Sequence, residues 1–428
     1  MISVQLTRMM ESPRVRDQFQ MMYGSREGAI VSQVERYARA AKRFGQLFPD
    51  NARAPRFFSA PGRIEIGGNH TDHNHGMVLA AAISLDAVAA AAPNGLRVVR
   101  ARSEGFDPVE VDLDDLAPKE SERRTSASVV RGSLARLRER GIPAEGFDAT
   151  VSSGVKTGSG LSSSAAFEVL LLTVMDNLFG GGGMDAKTRA RIAQDVENTY
   201  FGKPSGLMDQ MASSVGGLVW IDFRGGDARV TPIQYDFARK GFAVVVVNPG
   251  GDHADLNDEY AAIPNEMRSV AALFGHETLR CVRMEQVESS IASIRRQGVS
   301  DRAILRAMHY FDENQRVADQ ARALERDDLP RFLELIIESG ESSWKLLQNV
   351  YARRDRQPLA LALEVARRCL SGHGAWRVHG GGFEGTILCF VPTDKLGAFT
   401  RQMNGAFDDR CCDVLDIRSI GAAEITEG

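Results

Sequence analysis

Apolar positions along the chain switch between helical and strand spacing, and the switches mark out its elements. Val34, Tyr37, Ala38, Ala41, Phe44 and Leu47 fall on one helical stripe ahead of Pro49, which predicts a helical extension over residues 1–55. From Phe57 the spacing shortens to that of strands, with short ones expected at 78–83, 87–91 and 96–101, the last two separated by Pro93-Asn94-Gly95. A helix at 129–140, a strand at 147–152 and helices at 165–178 and 186–199 follow, then strands at 216–223 and 242–248. The second of these holds four consecutive valines and is expected to be buried on both faces. Helices dominate 259–370, and strands return at 375–378, 386–391 and 412–417.

At 428 residues the chain exceeds one ordinary core. Two α/β (α+β) domains are expected, at 56–215 and 216–428. A hydrophobic content of 43%, a charged content of 25% and a net charge of −4 give no bias toward nucleic acid or an anionic membrane, so small-molecule partners are expected. A monomer or weak oligomer is expected. The five cysteines form no CxxC pair and read as reduced thiols, which points to the cytoplasm. No run of 18 apolar residues occurs; the nearest, 78–92, is interrupted by Asp86. The N-terminal stretch has no apolar core of the kind a secretory leader needs.

Four segments carry candidate chemistry. VKTGSGLSSSAAFE, 155–168, is a glycine-rich loop that runs into a helix start, where unpaired N–H groups and the helix dipole favour an anion such as polyphosphate. Its serine hydroxyls suit phosphate oxygens or Mg²⁺. The plain alternative is a serine-capped helix. Neither GxxxxGK[ST] nor GxGxxG is present. APGRIEIGGNHTDHNHG, 60–76, gathers Arg63, Asp72, amides and imidazoles on one loop, a set that suits a polyol. Zinc binding by His70, His73 and His75 is the rival reading, although His-x₂-His-x-His lacks a familiar ligand spacing. In 197–209, Glu197 and Asp209 flank an irregular stretch and fit a cation ligand and a proton acceptor, or else helix caps. HGGGFEG, 379–385, is a turn of permissive backbone near a ligand or another loop.

Taken in order, APGRIEIGGNHTDHNHG, VKTGSGLSSSAAFE, SGLMDQ and RVHGGGFEG resemble the galactokinase branch of the GHMP kinase family over residues 58–390. The resemblance implies two domains with ATP and sugar in the cleft between them, and transfer of the γ-phosphoryl group to an anomeric hydroxyl. It makes Asp209 the catalytic base and Arg63 its cationic neighbour. It assigns Gly158, Ser159, Gly160, Leu161, Ser162, Ser163 and Ser164 to the triphosphate, Ser164 and Glu197 to Mg²⁺, and Asn69, His70, Asp72, Gly206 and Tyr260 to the sugar.

The departures bear on substrate. The family pattern GRVNLIGEHTDYNxG has asparagine where this chain has Glu65, isoleucine where it has Gly67, glutamate where it has Asn69, and tyrosine where it has His73. The family's glutamate contacts the C6 hydroxyl of galactose, so an amide at 69 leaves C6 discrimination open and admits a C6 carboxylate. Asp252, where arginine is common before His253, argues the other way. Galactose is the expected substrate. Galacturonate, N-acetylgalactosamine and arabinose are alternatives, as is a catalytically silent sugar and ATP sensor.

Overall fold

The computed structural model describes residue 9 and residues 11–24, 27–156, 158, 160–225, 227–251 and 256–427. Among the described residues, twelve strands form two sheets. In chain order they are β1 (Arg56–Gly67), β2 (Met77–Pro93), β3 (Val98–Ser103), β4 (Val109–Asp112), β5 (Phe147–Ser153), β6 (Leu218–Asp222), β7 (Arg229–Ile233), β8 (Phe242–Val247), β9 (Ala375–His379), β10 (Thr386–Pro392), β11 (Cys412–Leu415) and β12 (Ala423–Ile425). The first sheet runs β12-β1-β2-β5-β3-β4, with β6 and β7 added along the first half of β2. The second runs β11-β8-β10-β9.

The two short strands expected at 78–83 and 87–91 are one 17-residue strand, β2, that continues through Asp86. An aspartate breaks a strand core only when its charge goes unanswered. Here Arg36 and Arg418 both reach the fully buried carboxylate, and the hydroxyls of Tyr23 and Ser59 donate to it. Burial alone would raise the Asp86 pKa, but the two guanidiniums and the hydroxyl donors hold it below its ordinary value.

The same carboxylate docks the N-terminal extension. Tyr23 ends the helix Pro13–Tyr23 and Arg36 lies within the helix Glu27–Leu47. Tyr37, Ala41 and Phe44 of the expected stripe are buried against Val88, Ala90 and Ala92 of β2. Leu47 is 42% exposed, and Phe48 fills the core instead.

The expected domain boundary at 216 does not coincide with the change of sheet. Strands β6 and β7 extend the first sheet, and the second begins only at β8. The chain end then returns, β12 pairing with Phe57–Ser59 of β1. Hydrophobic spacing identifies a strand but not its partner, and β4, β7 and β12 are too short or too polar to stand out. Strand β8 is buried on both faces: Val244 and Val246 pack into one core cluster, Val245 and Val247 into another.

Two elements position the site. Strand β1 pairs with β2 along its length, with register shifts between Pro61 and Arg63 and between Glu65 and Gly67, and such bulges re-aim side chains. The helix Asp301–Glu325 packs on both β1 and β2.

Removing the Asp86 charge leaves Arg36 and Arg418 facing each other without an anion. Asp86→Asn should therefore lower unfolding stability by roughly 3–5 kcal/mol in a urea titration at neutral pH. Because the folded-state pKa is depressed, the wild-type contribution is present above the ordinary carboxylate range and is lost as pH falls below it. A loss under about 1 kcal/mol would show that the hydroxyls and backbone hold the helices without the charge.

Candidate active site

The serine loop is shaped by positive-φ residues. Gly158 and Gly160 have φ of 75° and 71°, and Ser162 follows at 59°. Serine rarely adopts this region, and strain of this kind persists only where the surroundings hold it. Leu161 anchors the loop in the core, and the carbonyls of Gly160 and Leu161 accept from Arg63 Nη1 (2.5 Å) and from the Arg63 amide (3.1 Å). The helix Ser163–Phe179 then begins. Ser162 makes no capping bond; its hydroxyl donates to Asp209. This is not the serine-capped helix of the plain alternative. Ser163 is half-buried and Ser164 exposed in the first turn, while Ser159 lies outside the described residues.

Asp209 sits in the first turn of the helix Met208–Val215 and is bracketed on both oxygens. Arg63 Nε donates to Oδ1 at 2.7 Å and Ser162 donates to Oδ2. Crowding by protein pushes its pKa up, but the charge and hydrogen bond of Arg63, the Ser162 hydroxyl and Lys203 outweigh it, and the net shift is downward. The side chain stays 31% exposed, open to the cleft.

Glu197 closes the helix Ala186–Val196 with a wider π-type turn. Its buried carboxylate accepts from Lys203 Nζ (3.0 Å), Ser205 Oγ (2.5 Å) and Gln210 Nε2 (2.8 Å). The same Gln210 nitrogen reaches Glu168 (3.1 Å), a buried carboxyl whose pKa is raised well above its usual range by burial and by Glu197. Sequence reasoning missed Glu168, Lys203 and Gln210. The signal was Glu168 itself, a charge within the apolar first half of the helix, four residues past Ser164 and so on the same face.

Three of the expected sugar residues, Asn69, His70 and Tyr260, meet the turn after β9, and the other two, Asp72 and Gly206, meet each other. Gly206 lies directly against the Asp72 carboxylate, which accepts only from the His73 amide among the described residues. Tyr260 packs its ring on Gly381 and edge-on to Phe383, and its hydroxyl donates to the Gly382 carbonyl at 3.2 Å. Burial and the nearby Glu384 push the Tyr260 phenol up to about 12. His70 donates from Nε2 to the Gly381 carbonyl at 3.1 Å; burial and His73 hold the ring neutral, its pKa lowered to about 3.

Asn69 is placed differently from a side chain facing solvent or ligand. It is fully buried, giving its Nδ2 hydrogens to Glu65 Oε1 (2.8 Å) and the Gly380 carbonyl (2.5 Å) and receiving Asn349 Nδ2 on Oδ1 (2.6 Å). No donor of the amide remains free. Two further groups escaped sequence reasoning. His379 accepts the Glu65 amide on Nε2 (3.1 Å), so Nδ1 carries the proton and donates to Thr386 (2.9 Å). Arg377, wholly buried, donates to Glu65 Oε1 at 2.9 Å and to the Ile66 carbonyl at 2.5 Å.

Among the described residues no three His, Cys, Asp or Glu side chains are grouped to hold a metal ion, which removes the zinc reading of His70, His73 and His75. All five cysteines are free, and no helix of the described residues is long and apolar enough to cross a membrane. Asp252 and His253 lie outside the described residues.

A strained serine loop opening a helix, set against an Arg-Asp pair between two α/β sheets, defines a GHMP kinase: the profile of the GHMP kinases N terminal domain matches residues 128–217, and the galactokinase galactose-binding signature matches residues 42–93. The chain belongs to the galactokinase family within that class, being 32% identical to the galactokinase of Streptomyces coelicolor over 86% of this chain and 92% of that one. The galactokinase of Actinobacillus pleuropneumoniae is 31% identical over 79% and 85%. The Lactococcus lactis galactokinase solved in complex with galactose shares the fold at a TM-score of 0.79 and 24% identity, covering 90% of this chain and 99% of that one. The Methanococcus jannaschii mevalonate kinase follows at 0.61 and 14%, covering 86% and 99%. The protein is a phosphotransferase whose reactants are ATP and a sugar.

A methyl group at Gly206 would overlap the Asp72 carboxylate. Gly206→Ala is expected to raise sugar KM at least about tenfold, the scale of one lost charged hydrogen bond, with little change in thermal midpoint. An unchanged KM would separate Asp72 from the sugar.

Proposed function

We propose that this chain transfers the γ-phosphoryl group of ATP to the anomeric hydroxyl of galactose, with Asp209 as base. The observation that carries the reading is the Arg63-Asp209-Ser162 cluster, which joins a half-exposed, ionised carboxylate to the carbonyls and hydroxyl of the serine loop. The O1 to Pγ bond forms as the bond from Pγ to the β,γ-bridging oxygen breaks, the hydroxyl proton passes to Asp209, and ADP leaves. A carboxylate held at low pKa is a weak base, which suits a loose phosphoryl transfer in which the proton moves late. Arg63 spends Nε on Asp209 and Nη1 on Gly160; its Nη2 has no partner among the described residues and is free to meet a phosphoryl oxygen.

Amides of the loop from Gly158 to Ser164 are the candidate cradle for the triphosphate, at the head of a 17-residue helix. Glu197 and Ser164 are the candidates to hold Mg²⁺. Their donors are hard oxygens, and the buried Gln210 Oε1 beside Glu197 has no partner among the described residues, a set that suits this ion. When bound, Mg²⁺ supplies charge neutralisation on the β- and γ-phosphate oxygens. Lys203, half-exposed on its flexible stem, would then exchange Glu197 for phosphate. Asp72, Gly206, His70 and Tyr260 are the candidate sugar contacts.

The reading is tested by incubating the protein with Mg-ATP and galactose, galacturonate, N-acetylgalactosamine or arabinose. Sugar 1-phosphate and ADP are expected with galactose; no ADP above background on any sugar would sink it. Asp209→Asn should lower kcat by about 10² to 10⁴ while calorimetry still detects sugar binding, and near-normal turnover would remove Asp209 as base. Glu197→Gln should raise the Mg²⁺ concentration at half-maximal rate at least about tenfold. An unshifted Mg²⁺ response would free Glu197 from the ion.

A further inference from the structure

The amide and the carboxylate that the family pattern places at 65 and 69 are exchanged in this chain, and the two side chains bond each other. Asn69 is spent on protein partners, but Glu65 is not. Its Oε1 accepts from Arg377 Nη2 and Asn69 Nδ2, while Oε2 has no partner among the described residues. The Glu65 side chain is 4% exposed, so this oxygen can still accept a donor from outside the protein. Glu65 is two residues beyond Arg63 on β1, so the two side chains emerge on one face about 7 Å apart, close to the width of a pyranose ring. Asp72 is near enough to act on its charge.

We propose that Glu65, rather than Asn69, is the specificity-determining side chain, its free oxygen accepting a hydrogen bond from the sugar hydroxyl farthest from the reacting one, on C4 or C6. The inference rests on the anomeric kinase reading above. It makes the site selective for a donor at that position and hostile to a carboxylate there, which an ionised Glu65 would repel.

Substitution by glutamine has a defined consequence. Arg377 and Asn69 both donate to one oxygen, so the amide oxygen of a glutamine is fixed there and its NH₂ takes the open position. An acceptor becomes a donor. The groups facing Glu65 are Arg63, Arg377, Asp72 and His379, the last held neutral by burial and the two guanidiniums. Burial raises the Glu65 pKa to about 7, with Arg377 and Asn69 pulling against it, so the acceptor weakens as pH falls through neutrality.

The test is ADP release by wild type and Glu65→Gln on galactose, its 2-, 4- and 6-deoxy forms and galacturonate. Wild type should lose at least about tenfold in kcat/KM, mostly through KM, on the 4-deoxy or the 6-deoxy sugar. Glu65→Gln should erase that difference and raise the ratio of galacturonate to galactose turnover. A common loss on every sugar, 2-deoxygalactose included, would overturn the proposal and leave Glu65 a partner of Arg377 only. Should the variant fail to fold, wild-type preference for galactose over the discriminated deoxy sugar should shrink between pH 8 and pH 6; a constant preference overturns the proposal. Wild type inactive on all sugars would defeat the kinase reading instead.

Discussion

Arg377 and Glu65 are buried charges from different sheets, and they meet in only one arrangement of the two. A guanidinium deprived of water costs several kcal/mol unless a carboxylate and further acceptors replace its hydration. Arg377 on β9 finds them in Glu65 and the Ile66 carbonyl, both on β1. His379, two residues on, takes the Glu65 amide. The second sheet is thereby registered against one strand of the first, and everything attached to either strand is brought to the same cleft.

The turn after β9 shows what that registration does. Its carbonyls at Gly380, Gly381 and Gly382 receive Asn69, His70 and Tyr260. Its flank also limits the serine loop, since a side chain at Gly160 would meet Thr386 Oγ1 at 2.8 Å and His379 Nδ1 at 3.4 Å. A Cβ at Gly381 would meet the Tyr260 ring and one at Gly382 would meet Asn349, while Gly380 holds a φ of 62°. The helix Asp301–Glu325 completes the clamp, with Glu313 accepting the Gly68 amide, His309 bonding the Asn69 carbonyl and Tyr310 the Asn74 carbonyl.

Local features of the chain were the legible ones. Glycine and serine at 158–164, with apolar residues after them, announced a loop that opens a helix, and the residues at 63, 72, 197, 206 and 209 stood out by type and order. What stayed hidden depends on pairing across long sequence separations. Asp86 reads as a strand breaker until Arg36 and Arg418, 50 and 332 residues away, are seen to neutralise it. Arg377 reads as a strand residue of no special kind and His379 as the start of a glycine turn, because nothing local reveals a partner 312 or 314 positions distant. Side-chain direction was the other gap. Asn69 and Glu65 lie four residues apart across a bulged strand end, and sequence cannot show which of them turns inward.

That last ambiguity bears on how sugar and phosphate are handled together. Arg63 and Glu65 share one face of β1, the first tied to Asp209 and the serine loop, the second to Arg377, Asn69 and the turn after β9. A reacting hydroxyl must sit within hydrogen-bond reach of its base, and a displacement of about 1 Å is enough to cost two orders of magnitude in rate. Fixing both ends of the acceptor from a single hydrogen-bonded strand leaves little freedom for such an error. The register shifts on either side of these two residues set their aim, and the buried pair that joins the sheets holds the strand against the turn. The contact that fixes the fold and the contact inferred to select the sugar are therefore the two oxygens of one carboxylate.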